Sequence, residues 1–345
     1  MLSRTPPRRE AASAPSFTRR SVAGLAAALA LCPALARGGV PARVGLLVLG
    51  SAEQRDDVDR QLLQGLNELG WVEGRNLLLE RRYADSQVSR LPGFAQEFAA
   101  RDFDVIVTTC TPSTRAARSA TQRIPIVMVA VADPVGSAFV KSLAEPGTNI
   151  TGRSSQSTEI VAKMLGLFLR AAPRAESIAV LVNANNPAHE PLWREAARAT
   201  AALHVELRRV ELRSAENPHG EDLPPAFERL SAAGARGVFM LPDDPISVIN
   251  RLLLVALAAQ YRLPALYGAS EFTEAGGLMS YGENLGDSAR QSARHVARLL
   301  EGADPATLPV EQPTRFELVL NLKTAQALRL SFPQDLRVQA DRAIG

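Results

Sequence analysis

The chain has 345 residues, of which 46% are hydrophobic and 22% charged, with a formal net charge of +3 at pH 7. It is too long for one ordinary core and apolar enough for two, which excludes a disordered chain and sets two domains as the expectation. Its two cysteines, Cys32 and Cys110, exclude a disulfide framework and a paired-cysteine metal motif.

The N-terminal segment stands apart from the rest. Arg8, Arg9, Arg19 and Arg20 precede an apolar run over 22–31, and Ala34-Leu35-Ala36 offers a small-residue cleavage site. Residues 1–36 therefore read as a secretory signal, with an apolar run too short for a membrane-spanning helix of roughly 20 residues. Thr18-Arg19-Arg20-Ser21-Val22 resembles a twin-arginine signal but lacks the usual Phe-Leu, so the Sec and twin-arginine routes both stay open. Bulky Leu31 before Cys32 argues against a lipid-anchored cysteine, and soluble export is favoured. Removing the signal takes away five arginines and one glutamate and leaves 34 basic against 35 acidic residues. Nucleic-acid binding thereby loses its compositional support. Cys110, then the lone cysteine, reads as a small buried hydrophobe.

A buried strand is predicted over 44–49. A helix over 57–69 follows, with Leu62, Leu66 and Leu69 on one face and Gly70 as its stop. Next come a strand at 77–82, a helix at 91–101 and a β-branched strand at 104–109. A helix opens at Thr111-Pro112-Ser113-Thr114, and a fourth strand lies at 124–129. Asp133 is expected to cap a helix with Pro134 in its first turn, ending near Pro146-Gly147. Residues 149–152 then lead to a second layer of the same kind.

That layer begins with a helix carrying Ile160, Met164, Leu167 and Phe168 on one face, stopped by Pro173. Strands follow at 178–182, 205–212, 237–240, 264–267 and 276–282. Helices between them run to about 203, over 223–233 and over 246–261. A long helix bears Leu285, Ala289, Ala293, Val296 and Leu300 on one side, before a last strand at 316–321 and a helix at 323–328. Strand–helix alternation of this kind predicts an α/β fold with parallel strands and right-handed crossovers.

Ligands of open parallel sheets sit at the carboxyl ends of the strands. In the first layer those ends carry Ser51, Thr111, Ser113, Thr114 and Asp133. Hydroxyls at a helix N-terminus suit a carboxylate, and ordinary helix capping accounts for the same residues. The second layer offers Asn183, Asp243, Asp244, Ser270 and Glu271, where a carboxylate can hold an ammonium group; capping again is the alternative for Asp244. Tyr267, Phe272 and Tyr281 flank these ends, as stacking partners for an apolar ligand side chain or as core. No dinucleotide, Walker-type or nucleophile-elbow motif is present. His189, His204, His219 and His295 have no metal-ligand spacing, so neither catalytic residues nor a cofactor or metal is expected.

Longer segments carry a family resemblance. They are Gly65-Leu66-Asn67-Glu68-Leu69-Gly70-Trp71-Val72-Glu73-Gly74-Arg75-Asn76, Ile124-Pro125-Ile126-Val127, Ala132-Asp133-Pro134-Val135-Gly136 and Pro146-Gly147-Thr148-Asn149-Ile150-Thr151-Gly152. Two more are Glu274-Ala275-Gly276-Gly277-Leu278-Met279-Ser280-Tyr281-Gly282 and the run 312–325, beginning Gln312-Pro313-Thr314-Arg315-Phe316-Glu317. Through them nearly the whole chain after the signal resembles the ABC-transporter substrate-binding proteins of the type I periplasmic-binding fold, in the branch that includes tryptophan- and tyrosine-binding members.

The resemblance implies two lobes, each a parallel sheet flanked by helices, joined by three hinge crossings near Gly152, Gly282 and 308–312. The lobes would comprise 37–152 plus 283–308 and 153–282 plus 309–345. It implies a non-enzymatic, periplasmic, monomeric solute-binding component of an ABC importer, not inserted in the membrane after signal cleavage. Such a protein closes around a small ligand, here an amino acid or related carboxylate, aromatic ones included, and passes it to a permease powered by a separate ATPase. A module presenting its ligand to a chemoreceptor or sensor kinase is the alternative, and an α/β enzyme ranks below both. Relatives often carry Gly or Ala before the Thr-Pro that opens the helix at Thr111, where this chain has Cys110.

Overall fold

The structure is a computed structural model that describes residues 40–345 apart from 202, 204 and 213–219. The expected signal over 1–36, His204 and His219 lie outside the described residues.

Runs of Val, Ile and Leu buried on both faces build the inner strands of the first sheet, as parallel strands covered by helices require. Its elements are β1 (Ala42–Val48), α1 (Ala52–Glu68), β2 (Leu77–Tyr83), α2 (Leu91–Ala100), β3 (Val105–Thr108), α3 (Thr111–Ala120), β4 (Ile126–Val131) and β5 (Ile150–Ser154). The strands take the order β2-β1-β3-β4-β5, all parallel.

The chain then enters a second sheet through α4 (Ser157–Ala171), β6 (Ser177–Asn183), α5 (His189–Ala201), β7 (Glu206–Leu212), α6 (Leu223–Ala232) and β8 (Gly237–Met240). It continues with α7 (Pro245–Ile249), α8 (Arg251–Gln260), β9 (Ala265–Tyr267), α9 (Ser270–Glu274) and β10 (Met279–Gly282). The last elements are α10 (Leu285–Leu300), β11 (Glu317–Asn321), α11 (Leu322–Ala327), α12 (Gln334–Gln339) and β12 (Arg342–Ile344). The order is β12-β11-β10-β9-β8-β6-β7, parallel except that β11 runs antiparallel to β10.

Three local expectations change. Residues 134–146 form turns rather than a helix. Asp133 Oδ1 accepts from the Gly136 N–H at 2.7 Å, and Ala138 at φ 55° and Gly147 at φ 61° adopt left-handed conformations that a helix does not tolerate. The helix expected over 246–261 is two helices, α7 and α8, parted at Asn250. The strand expected over 276–282 is confined to β10, while α9, α12 and β12 carry too little periodicity to be read from sequence.

Although α10 follows a strand of the second sheet, its apolar face closes the first core. Ala289, Ala293, Val296 and Leu300 pack with Val58, Leu62 and Leu66 of α1 and with the inner face of the first sheet. Gly65 lets the two helices approach, because a Cβ there would lie 2.4 Å from the Arg290 carbonyl oxygen. The chain thus passes between lobes at Ser155-Gln156, at Glu283-Asn284, and again before β11. The third passage is laced to the first: Glu311 N–H donates to Gly152 O at 2.8 Å, and Ser154 N–H to Glu311 O at 2.9 Å. Among the described residues no helix is long and apolar enough to cross a membrane.

Candidate functional site

The carboxyl ends of the two sheets face each other, as strand-end loops of open parallel sheets do when two lobes meet. Between them lies a cavity of about 90 Å³. Thr109, Cys110 and Ala130 line it from the first lobe; Pro242, Asp243, Asp244, Gly268, Ala269 and Glu271 line it from the second. The crossings add Ser155, Ser157, Gly282, Glu283 and Leu285. Every charged side chain in this lining is a carboxylate: Asp243, Asp244, Glu271 and Glu283.

Asp243 is placed by an unusual backbone. Its φ of 62° is left-handed, a conformation that costs a non-glycine residue about 1 kcal/mol or more and persists only where surroundings enforce it. The enforcement is visible: Asn186 Nδ2 donates to the Asp243 carbonyl at 2.6 Å. The side chain thereby crosses to the first lobe, where the Thr111 hydroxyl donates to Oδ2 at 2.9 Å and the Ala132 N–H also bonds the carboxylate. Burial between the lobes pushes the Asp243 carboxyl up to about 7, opposed by those two donors and reinforced by neighbouring Asp244.

Asp244 is buried and accepts from Asn183 Nδ2 at 3.1 Å and from Ser247 Oγ at 2.6 Å, so its oxygens are engaged within its own lobe. Asn183 in turn is fixed by its N–H, which donates to His189 Nδ1 at 2.8 Å. Burial lowers the His189 pKa and keeps this ring neutral, as the accepting nitrogen requires. Glu283 is pushed up to about 7 by burial, against a hydrogen bond from Ser288 and the charge of Arg153.

Of the residues singled out in sequence, Asp243, Asp244 and Glu271 reach the cavity wall, Thr111 reaches it through Asp243, and Asn183 stands behind Asp244. Ser113 and Thr114 are not brought to the cavity. Ser113 Oγ donates to Cys110 O at 2.9 Å and accepts from Cys110 N–H at 3.1 Å, while Thr114 Oγ1 bonds Thr108 Oγ1 at 2.7 Å, so both hydroxyls serve the start of α3. Asp133 is occupied by its own turn. Ser51 and Ser270 lie outside the lining.

The aromatic candidates are core instead. Tyr267 and Phe272 stack at 4.6 Å and 12° inside the second lobe. Tyr281 packs under Phe316, with Lys163 Nζ 4.7 Å from its ring centre. Sequence reasoning passed over Ser155, Ser157 and Glu283. The available signal was the polar Ser154-Ser155-Gln156-Ser157 after a buried strand and the acid placed directly after Gly282.

Chemically the cavity has one cationic requirement and one anionic opportunity. Its carboxylates suit a ligand ammonium group. The N-terminus of α4, with Ser155 and Ser157 Oγ 2.7 Å apart, and that of α3 at Cys110 and Thr111 supply the partial positive charge that holds a carboxylate. No group of three or more His, Cys, Asp or Glu side chains able to hold a metal ion occurs among the described residues.

Comparison with known proteins converges on one family. Residues 43–344 match the family described as ABC transporter substrate binding protein. A tyrosine-binding protein of Clostridioides difficile is 26% identical over 288 residues, which is 83% of this chain and 80% of that protein. A conserved domain protein from Vibrio cholerae superposes with a TM-score of 0.80 at 27% identity, covering 88% of this chain and 99% of the other. A Streptococcus ABC domain in complex with L-Trp also gives 0.80, at 22% identity, with 88% and 100% covered. A ligand-free, open substrate-binding protein from Clostridium difficile gives 0.64 at 21% identity, with 88% and 99% covered.

Proposed function

This chain belongs to the ABC transporter substrate-binding protein family, and from that premise we propose that it holds an amino acid of the tyrosine or tryptophan kind between its lobes and delivers it to a membrane permease outside the cytoplasm. The family and the relatives are solute-binding proteins rather than enzymes. The observation that carries the ligand class is the cavity wall, where the acids Asp243, Glu271 and Glu283 share one lining with residues at the N-termini of α3 and α4. An α-amino acid presents the complementary pair, an ammonium for the acids and a carboxylate for the helix ends.

The size of the cavity adds a condition. At about 90 Å³ it is smaller than the roughly 150 Å³ that takes up benzene in an engineered protein core. An aromatic amino acid therefore enters only with the lobes farther apart than here, which makes hinge motion part of binding. A thermal-shift screen of the protein against the proteinogenic amino acids tests this reading. L-tyrosine or L-tryptophan at a hundredfold over its dissociation constant should add about 2.7 kcal/mol of stability. Stabilisation by sugars or dicarboxylates alone would overturn it.

A further inference from the structure

All three crossings bring a charged side chain into one knot at the hinge. Arg153 on β5 is only 2% exposed and donates through Nη1 to Glu311 Oε2 on the third crossing at 2.8 Å. Arg294 of α10 donates to the same oxygen at 3.1 Å. The second crossing contributes Glu283, which accepts from Ser288 Oγ at 2.7 Å, is drawn by the charge of Arg153 and is repelled by that of Asp243. Arg153 Nε is buried without a hydrogen-bond partner.

Beside this knot is a polar cavity of about 40 Å³, which Glu283 and Arg153 share with Asp287, Arg315 and Glu317. His295 closes the far side of the third crossing, with Nε2 3.0 Å from Pro309 O, and burial lowers its pKa. Among the described residues Glu283 alone lines both this hinge cavity and the inter-lobe cavity.

We propose that Glu283 touches the ammonium group of the ligand and carries its charge to the hinge, so that the cavity selects amines and closure is coupled to release of a proton. Near neutral pH the buried Glu283 carboxyl is divided between its neutral and ionised forms. An ammonium group set beside it favours the ionised form, and the displaced proton leaves to solvent. The new carboxylate attracts Arg153, which already ties the first crossing to the third, and the three crossings are drawn into one arrangement. The repulsion from Asp243 is relieved by the same ammonium, since both acids line the cavity. This inference rests on the amine-binding reading of the cavity, and the test separates the two.

Calorimetry at pH 7 would compare L-tyrosine, tyramine and 3-(4-hydroxyphenyl)propionate on the wild type and on Glu283→Gln, in buffers of differing ionisation enthalpy. The wild type is expected to bind the two amines with release of up to about one proton, about half from each of Glu283 and Asp243, which both titrate near the working pH. Glu283→Gln should bind both at least tenfold more weakly and release only the share that belongs to Asp243, about half of the wild-type value, while its affinity for the propionate stays that of the wild type. Glu283→Asp, which keeps the charge, should retain proton release and guards against a folding defect in the glutamine variant. If the wild type binds none of the amines, the amine-binding reading is lost and this inference falls with it. If the wild type binds them and Glu283→Gln binds tyrosine equally well, or loses the propionate equally, only the role of Glu283 is overturned.

Discussion

The hydroxyl of Thr111 and the carboxylate of Asp243, 132 positions apart in sequence, meet across the cleft at 2.9 Å. One belongs to the start of a helix in the first lobe and the other to a strained turn in the second, so this bond exists only while the lobes are together.

Thr111→Val keeps the shape of the side chain and removes the donor. A hydrogen bond to a charged group contributes roughly 1.5–3 kcal/mol, so closure should weaken and ligand affinity should fall about tenfold, mostly through faster release. Small-angle scattering of the variant should show a larger radius than the wild type. Unchanged affinity together with an unchanged radius would remove Asp243 as a link between lobes.

The acids Asp243 and Glu283 both have carboxyls raised to about 7. Each holds its proton more tightly folded than unfolded, so its stabilising contribution is complete below the ordinary carboxylate range, near pH 4, and is lost as pH rises through 7. Asp243→Asn and Glu283→Gln mimic the protonated forms and should therefore gain on the wild type as pH rises. Both residues retain some exposure, which moderates the gain to about 2 kcal/mol each at pH 8, with about a third of it present at pH 5. Thermal melts across that range measure it; a gain at pH 5 that vanishes at pH 8 would reverse the assignment.

Tyr267 offers a prediction in the other direction. Its hydroxyl is buried with no hydrogen-bond partner, and burial alone holds the phenol protonated. Tyr267→Phe should leave stability unchanged or raise it by up to about 1 kcal/mol, whereas Phe272→Ala, which empties the other half of the stack, should cost about 3–5 kcal/mol. Urea unfolding distinguishes them. A large loss in Tyr267→Phe would show that the hydroxyl is satisfied after all.

The strands were legible because a buried parallel strand writes itself as an unbroken apolar run, as in Ile178-Ala179-Val180-Leu181-Val182. The rule that ligands gather at strand ends led to Asp243, Asp244 and Glu271, which line the cavity. It could not tell these from Ser113 and Thr114, whose hydroxyls turn back into α3, because capping and ligand binding use the same residues. Glu283 stayed hidden for another reason. Its reach into the cavity depends on where the chain recrosses between lobes, a long-range property with no local pattern. The turns over 134–146 were misread because Asp133-Pro134 opens like a helix, while the left-handed Ala138 that ends the possibility leaves no mark in composition.

Helix α10 supplies part of the wall of the first lobe's core although it is made after most of the second lobe. On the ribosome, that early lobe must therefore wait with an open flank until residue 300 has been synthesised. A protein cut at either of the first two passages yields fragments that do not correspond to folding units. A circular permutant that places α10 ahead of β1 should let the first lobe mature alone, as a free-standing half.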